Sequence, residues 1–274
     1  MSLGVPFHRG VMRSATWPAG RPSATTGVTL TSSGTSHTIG TLVELFAETT
    51  HETHFVRISF ANSSTGGTQT DQLVNIYVGA NGAEQVLIPT LLSGWALTLA
   101  TDGFKTYEFP LHIPAGTRIT AGVQALIASD TVECLMEIFN MPGQWTGSGV
   151  ECIGVNVAAS QGTAVTPGTT SDGSFTDIGT TAHEWRYVVP MMQGTLADTI
   201  MATDGAACDI GVGGGVYTNL EEFWFKTSTN EVGFNFRSAM GRFCVIPAGT
   251  ALQLRAQSYV SSVDPVDFCI YGVY

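Results

Sequence analysis

The feature of this chain that most constrains its fold is an internal repeat. The segment Ile113–Thr117, which reads IPAGT, recurs as Ile246–Thr250, 133 positions later. Upstream of it, Val74–Gly79 (VNIYVG) lines up with Cys208–Gly213 (CDIGVG) at a spacing of 134. This spacing is far too long for a short-period solenoid and indicates that a whole unit was duplicated. The sequence therefore predicts two related units in tandem.

Each copy of the IPAGT motif predicts a turn that is followed by a strand. Proline fixes φ near −65°, and proline at the second position with glycine at the fourth suits a type I turn. After the turn, apolar and polar residues largely alternate from Ile119 to Ile127 and from Leu252 to Val260, as in strands with one buried face. A shift of 133 places Ile119 on Leu252, so the buried faces of the two copies coincide. Chance similarity has no reason to preserve this phase.

Two shorter matches extend the repeat. Val132–Met136 resembles Val266–Ile270 after one inserted residue, and Thr38–Thr41 resembles Asp177–Thr180. Each unit then has roughly 100–115 residues, which is a common size for a single domain.

The predicted fold class is all-β, with two tandem duplicated antiparallel β-sandwich domains that are jelly-roll-like and an extended N-terminal arm. The arm spans residues 1–26, the first sandwich 27–141, a flexible Gly/Ser/Thr-rich linker 142–172, and the second sandwich 173–274. Within the linker, Val150–Val157 is a candidate to pair with an edge of one domain. The strands predicted for the first domain are Leu42–Phe46, Phe55–Phe60, Leu73–Val78, Gln85–Ile88, Ala96–Leu99, Lys105–Phe109, Arg118–Ile127 and Val132–Phe139.

The surface of this protein must be built mainly from uncharged polar residues. The chain has 274 residues, of which 43% are hydrophobic and only 12% are charged, about half the usual charged share. Thr, Ser, Gly, Asn and Gln tolerate burial against another protein better than Lys or Glu. Two explanations fit equally well: the chain belongs to an assembly, or it shares the Thr- and Gly-rich composition common among all-β proteins.

Charge and hydropathy exclude several kinds of partner. The formal net charge of −11 argues against nucleic acid, whose binding needs clustered Lys and Arg. No apolar run approaches the length of a transmembrane helix, and Met1–Gly20 lacks the apolar core of a signal peptide. We therefore expect no membrane partner and a chain that is made in a reducing cytoplasm. Its cysteines form no CxxC pair, so we expect free thiols at Cys134, Cys152, Cys208, Cys244 and Cys269.

The N-terminal arm is the first candidate for a partner-binding segment. It holds three of the eleven cationic residues of this acidic chain, and an arm without a core of its own needs something to hold it. We favour a neighbouring molecule over the arm's own domain for that role. The residues expected to contact the partner are Phe7, Arg9, Arg13 and Trp17.

Catalytic and metal-binding motifs gain little support. His51, Glu52 and His54 form the densest titratable cluster, but histidines at i and i+3 on a strand point to opposite faces, and the HExxH spacing is absent. A solvated loop is the default interpretation. The chain has no GxSxG motif, and the glycine-rich run Gly211–Gly215 lacks a following Lys. We therefore expect no catalytic, metal or cofactor site and no cofactor.

Tryptophans offer a second candidate binding surface. Trp95 follows Gly94, and Trp145 lies between Gly143 and Gly147, in segments predicted to be loops, where exposed rings can stack on sugars. Aromatic side chains also anchor contacts in cores and between proteins. Packing is therefore the favoured role, and a glycan contact at these two residues stays open.

From Val74 to Pro89 the chain reads VNIYVGANGAEQVLIP, and from Leu111 to Ile119 it reads LHIPAGTRI. This combination resembles the strand-and-turn pattern of virion structural proteins of tailed bacteriophages. The resemblance covers the first domain well. It covers the second domain only through its IPAGT segment, because Ala251 replaces Arg118 and the Glu84-Gln85 stretch has no clean match.

The resemblance implies a non-enzymatic structural protein of a phage virion, made in the host bacterial cytoplasm. The role expected first is that of a capsid cement or decoration protein, which forms homo-oligomers and binds major capsid or tail subunits. The alternative is a tail or neck appendage that binds a host glycan or another receptor. A hydrolase of host polysaccharide ranks third, since no paired carboxylates are visible.

Overall fold

The computed structural model describes residues 12–15, 27–62, 71–94, 105–169, 171–193, 206–213, 218–225, 241–258 and 265–274. The strands that these residues form are antiparallel, and the single helical element among them is a 3-10 turn at Val157–Ala159. The fold class expected from the sequence is confirmed.

The first unit is an eight-stranded jelly roll with one additional strand. One sheet has the order β2-β9-β4-β7, and the other has the order β3-β8-β5-β6, which is the jelly-roll arrangement of two facing antiparallel sheets. The additional strand, β1, pairs with the far half of β9. The bounds are β1 Met12–Ala15, β2 Val28–Thr31, β3 Val43–Phe46, β4 Phe55–Asn62, β5 Gln72–Val78, β6 Gln85–Leu92, β7 Lys105–Phe109, β8 Ile119–Ala125 and β9 Thr131–Asn140.

The second unit repeats this topology. Its sheets have the orders β12-β19-β14-β17 and β13-β18-β15-β16, with β10 also on β19 and the short β11 on β12. The bounds are β10 Val150–Ile153, β11 Val155–Asn156, β12 Gln161–Val165, β13 Thr176–Thr180, β14 Trp185–Gln193, β15 Ala206–Val212, β16 Thr218–Phe225, β17 Arg242–Ile246, β18 Ala251–Ser258 and β19 Val266–Val273.

Strand register supports the duplication residue by residue. Val74 on β5 lies opposite Val123 on β8, and Cys208 on β15 lies opposite Ala256 on β18. These are the pairs that spacings of 134 and 133 superimpose. The same correspondence holds for the pairs Ile76–Ala121 and Ile210–Leu254, and Val78–Ile119 and Val212–Leu252.

The IPAGT turn of the first unit is held by Thr49, which follows β3. Its hydroxyl donates to the carbonyl oxygen of Pro114 at 2.7 Å and accepts from the amide of Thr117 at 3.0 Å. The amide of Gly116 donates to the carbonyl oxygen of Thr49 at 2.7 Å. Gly116 has φ +77, a left-handed conformation that glycine adopts without steric cost. We call this arrangement the turn clamp.

The second unit has the same turn clamp, built on Thr181. Its hydroxyl donates to the carbonyl oxygen of Pro247 at 2.8 Å and accepts from the amide of Thr250 at 3.0 Å. Gly249 has φ +78 and donates to the carbonyl oxygen of Thr181 at 2.7 Å. The repeated sequence therefore carries a repeated hydrogen-bond network.

The flexible linker predicted for 142–172 differs from the structure, which places β10, β11 and β12 in this range. β12 is a strand of the second jelly roll, and β10 pairs with β19 as β1 pairs with β9. β1 and β10 are therefore equivalent strands of the repeat, although the sequence places one in an arm and the other in a linker. Their four residues gain stability from pairing with a distant strand, which local composition does not reveal. The domain boundaries remain a prediction.

The observed strands differ from the sequence predictions in two further respects, the match of two tetrapeptides and the list of strands. Thr38–Thr41 precedes β3, whereas Asp177–Thr180 lies within β13, and the register on β8 and β18 aligns Phe46 with Gly179. The pairing of those two tetrapeptides is therefore wrong. Strand β2 has no counterpart among the predicted strands, and Ala96–Leu99 lies outside the described residues. The other seven predicted strands of the first unit are confirmed within a few residues at their ends.

Two apolar clusters form the interior. One fills the first jelly roll and extends into the second unit through residues of β14 and β19. The other fills the second jelly roll. All five cysteines lie among the described residues and none forms a disulfide. Burial raises the pKa of Cys134 and Cys208.

Candidate functional site

The two units meet in a buried apolar contact. On β7, Lys105, Tyr107 and Phe109 alternate with half-buried residues and point inward. On β19, Cys269 and Tyr271 belong to the cluster of the first unit, whereas the alternating Phe268 and Ile270 belong to the second. One sheet of the second unit is therefore buried on both faces, and its outer face covers the first jelly roll where β6 and β7 meet.

Tyr271 is central to this interface. Its ring lies 5.4 Å from the ring of Tyr107 and 6.1 Å from that of Phe109, in edge-on geometry. Its hydroxyl donates to the carbonyl oxygen of Thr90 at 2.8 Å and accepts from the amide of Leu92 at 2.9 Å. Burial, followed by the neighbouring Cys269, raises the pKa of Tyr271 well above its usual range. The hydroxyl thus remains protonated and satisfies two backbone groups of the other unit.

Thr90 adopts a backbone conformation suited to this contact. Its φ of +49 is unusual for a β-branched residue. Its amide donates to the side-chain oxygen of Asn75 at 2.6 Å. Strand β6 bends away from its regular partner there, since its register with β5 shifts between Val74 and Ile76. The bend turns the Thr90 carbonyl towards Tyr271.

Lys105 is a buried cation near the same interface. It is 1% exposed, and its ammonium group donates to the carbonyl oxygen of Gly94. Burial lowers its pKa to about 7, and the nearby Cys269, Asp71 and Asp267 oppose that shift. A lysine in this position costs stability when it is charged.

A second contact between the units lies at the 3-10 turn. The side-chain amide of Gln124, on β8, donates to the carbonyl oxygen of Val157 at 2.7 Å and to the Ser160 hydroxyl at 3.0 Å. Nδ1 of His37 lies 3.0 Å from the same hydroxyl. The segment between the jelly rolls is therefore fixed to the first unit by side chains.

Glu151, on β10, fixes the same segment to the second unit. Its carboxylate accepts hydrogen bonds from the amides of Ala182 and His183, at 2.7 and 3.2 Å, and from the Trp185 indole at 2.7 Å. The ring of Trp185 lies against Gly272, where a Cβ would overlap it. This carboxylate therefore joins β10 to the loop after β13 and to β14.

The expected partner-binding residues of the arm fall mostly outside the described residues. Phe7, Arg9 and Trp17 are among those not described. Arg13 lies on β1, opposite Phe139 on β9. For Met12–Ala15, the arm's own unit supplies the partner strand, whereas the sequence favoured a neighbouring molecule. The sequence predicted no catalytic, metal-binding or cofactor-binding residue, so the structure has no such predicted position to place.

Of the two candidate glycan-binding tryptophans, Trp95 lies outside the described residues. Trp145 is half-buried and packs against the cluster of the first unit. Its ring lies 6.1 Å from that of Phe243, edge-on. One edge of Trp145 thus takes part in packing, which is the role favoured from the sequence.

The side chains of the histidine motif contact different neighbours. His54 lies near His112, with 6.0 Å between ring centroids, and Nε2 of His112 lies 2.8 Å from the Glu52 carboxylate. His51 instead contacts the Thr50 hydroxyl. Among the described residues, no three His, Cys, Asp or Glu side chains are grouped to hold a metal ion. None of the helical residues described forms a segment able to cross a membrane.

Sequence reasoning missed the residues of the interface between the units. Tyr187, Tyr271 and Lys105 were not singled out. A signal was present, because β14 reads WRYVVPMMQ and β19 reads VDFCIYGV. Such near-continuous apolar runs are typical of strands buried on both faces. They predict that a second layer covers this sheet, although they do not identify it.

No protein-family model matches the sequence, and no curated protein is significantly similar to it. Among solved structures, the MCP of Sulfolobus Turreted Icosahedral Virus aligns over 97% of this chain and 96% of its own, at 10% identity and a TM-score of 0.42. PNGase F from Flavobacterium meningosepticum, a glycosylasparaginase, aligns over 96% of both chains at 10% identity and a TM-score of 0.39. Because both scores lie below 0.5, the jelly-roll assignment rests on the strand order of the chain itself. One of these proteins is a capsid protein and the other an enzyme, so the likeness selects no function.

Proposed function

We propose that this chain is a non-enzymatic structural protein of a tailed-phage virion, and specifically a capsid cement or decoration protein. Its two jelly rolls form one block whose surface, poor in charge, is buried against neighbouring virion subunits. Its localisation is the particle, after synthesis in the host cytoplasm.

The observation that carries the proposal is the location of the residues that resemble phage virion proteins. VNIYVGANGAEQVLIP forms the β5–β6 hairpin, and IPAGT forms the clamped turn before β8. Arg118 connects these two pieces, because it donates to the Glu84 carboxylate at 2.8 Å and to that of Glu44 at 2.8 Å. The resembling residues are therefore framework, which favours an architectural role over a catalytic one.

Composition and packing support the same role. Only 12% of the residues are charged, so large surfaces can be buried without desolvating many ions. Tyr271, Gln124 and Glu151 fix the two units and the segment between them. A block of this kind can bridge neighbouring subunits without paying the entropy of ordering a hinge.

The proposal is tested with purified particles of the phage that encodes the chain. A cement protein is expected to co-purify with capsids, and particles without it should lose their DNA at a lower temperature. Particles of unchanged heat stability would contradict the cement role.

The arm is tested separately. A variant with Phe7, Arg9 and Trp17 changed to Ala keeps β1 and should fold, yet it should no longer join the particle. Full incorporation would refute the proposed role of the arm.

The second candidate function is that of a tail or neck appendage that binds a host glycan. It is favoured by the partial exposure of Trp145 at the surface between the units. Glycan arrays that compare the native chain with Trp95→Ala and Trp145→Ala test it. Binding that both variants weaken would support it, and a flat profile for the native chain would exclude it.

A further inference from the structure

Two of the five cysteines lie next to each other at the interface between the units. Cys152 lies on β10, opposite Tyr271 of β19, and Cys269 precedes Tyr271 by two residues on the same strand. Side chains two residues apart on a strand share a face of the sheet, as do those of directly opposed residues. Both thiols therefore face the first jelly roll, where Cys269 belongs to the buried cluster and Cys152 packs against it.

The two thiols differ in how accessible they are. The thiol of Cys269 interacts with the thiol of Cys152 and with the Tyr271 hydroxyl, and burial, followed by Cys152, raises the pKa of Cys269 well above its usual range. Cys269 is fully buried, whereas Cys152 is half-buried. A small oxidant can therefore reach Cys152 first, and the sulfur of Cys269 lies beside it.

The internal repeat shows that this thiol pair is not common to both units. The spacing of 134 that relates β9 to β19 places Leu135 at the position of Cys269. Strand β1 pairs with β9 as β10 pairs with β19, and this register places Ala15 at the position of Cys152. The pair therefore occurs in the copy whose sheet is covered by the other unit, which associates it with the interface.

We propose that Cys152 and Cys269 form an intramolecular disulfide when the protein encounters a peroxide, and that this bond links β10 to β19 at the interface. An S–S bond is about 2.05 Å long, so the two sulfur atoms must approach each other. Strand β10 has four residues and is followed by Gly154, which has φ +87. A strand this short can shift to close the bond.

The chemistry takes place in two balanced steps. The Cys152 thiolate attacks one oxygen of the peroxide, the O–O bond breaks, and Cys152 becomes a sulfenic acid while the first water forms. The sulfur of Cys269 then attacks the Cys152 sulfur. The S–S bond forms, the S–O bond breaks, and the hydroxide that leaves takes up the Cys269 proton as the second water. Two thiols are thus oxidised, and one hydrogen peroxide is reduced to two waters.

The disulfide stabilises the contact between the units only outside a reducing compartment. Thiols stay reduced in the cytoplasm and are oxidised outside it. The timing of the bond, after release of a particle from the host, therefore rests on the proposed function. The bond closes a loop of more than a hundred residues, and such a cross-link lowers the entropy of the unfolded chain.

The test is treatment of the purified full-length chain with hydrogen peroxide, followed by unfolding and titration of thiols. The treated chain is expected to have two thiols fewer than the five of the untreated chain, and peptide mass spectrometry should link Cys152 to Cys269. The Tm should rise by roughly 5–10 °C, and dithiothreitol should reverse the rise.

Three variants complete the test. Cys152→Ala and Cys269→Ala should each abolish both the linked peptide and the rise in Tm. Cys244→Ala, at another half-buried cysteine, is the matched control and should retain both. Circular dichroism confirms that each variant is folded. A native chain that keeps all its thiols, or one whose disulfide joins other cysteines, would overturn the proposal.

The disulfide and the virion role can fail separately. Failure of the purified chain to form the bond overturns this inference and leaves the virion role intact, whereas absence of the chain from particles overturns only the virion role and the timing derived from it. In particles prepared with thiols blocked at lysis, the linked peptide is expected. Its absence there, with the bond formed in the purified chain, would overturn the timing.

Discussion

The guanidinium of Arg118 donates a hydrogen bond to the carboxylate of Glu84 at 2.8 Å. This bond joins the turn between β5 and β6 to the start of β8, and it lowers the pKa of Glu84. The hydrogen bonds to Glu44 and then to Glu84 raise the pKa of Arg118. In the second unit, Ala251 stands at the position of Arg118. The duplicated units therefore share the turn clamp but not this ion pair, which distinguishes the surface of the first unit.

A double-mutant cycle should detect this bond. Arg118→Ala and Glu84→Gln are each expected to lower Tm by a small amount, because partly exposed ion pairs contribute little. The double variant should lose less than the sum of the two, since both remove the same interaction. Thermal unfolding of the four proteins provides the measurement. Strictly additive losses would contradict the pairing.

The turn clamps should contribute equally to stability. Thr49→Val and Thr181→Val each remove a buried hydroxyl that donates to a proline carbonyl and accepts from an amide. Each is expected to cost about 1–2 kcal/mol of unfolding free energy. Urea unfolding measures the loss, and Thr35→Val, at an exposed turn, is the control. A loss at one site with none at the other would show that the clamps are not equivalent.

Tyr271→Phe should loosen the contact between the units. The ring remains, but the carbonyl of Thr90 and the amide of Leu92 lose their partner. We expect a loss of about 2–3 kcal/mol and faster amide exchange at Leu92. The control is Tyr77→Phe, whose hydroxyl only accepts from the Asn75 amide at 3.1 Å. Unchanged exchange at Leu92 would be incompatible with the described interface.

Lys105 predicts a pH dependence of stability. Its pKa is about 7 in the folded protein and 10.5 ordinarily, so the unfolded chain binds more protons between these values and stability rises with pH there. Lys105→Met removes this contribution. Between pH 7 and pH 10, the unfolding free energy of the native chain should gain up to about 4 kcal/mol relative to the variant. Urea unfolding at several pH values measures the difference, and parallel pH profiles would contradict it.

The strands of the first unit could be predicted because most have one buried face, and alternation of period two reveals such strands. The sequence also predicted the phase of the repeat. In the structure, Ile119 and Leu252 occupy the same register position on β8 and β18. The sequence made Val150–Val157 a candidate to pair with an edge of one domain without indicating which, and its first four residues pair with β19 as β10. The four residues of β10 lie in a Gly- and Ser-rich stretch, and β19, which pairs with them, is more than a hundred residues away.

The sequence did not predict the interface between the units, for a related reason. Tyr187 and Tyr271 lie in strands whose two faces are both buried, so their apolar runs show no alternation that would tell one face from the other. Arg118 and Glu84 both lie in the segments that resemble phage virion proteins, so the sequence pointed to each residue but not to their contact. Their contact is non-local and depends on the fold that brings the β5–β6 turn to β8.

The measurement that tests the virion role most directly is the copy number of this chain in purified phage particles, by quantitative mass spectrometry against the major capsid protein. A cement or decoration protein is expected at hundreds of copies per particle, co-sedimenting with DNA-filled capsids. A handful of copies would assign it to the neck or tail. Its absence from purified particles would contradict the proposal that it is a virion structural protein.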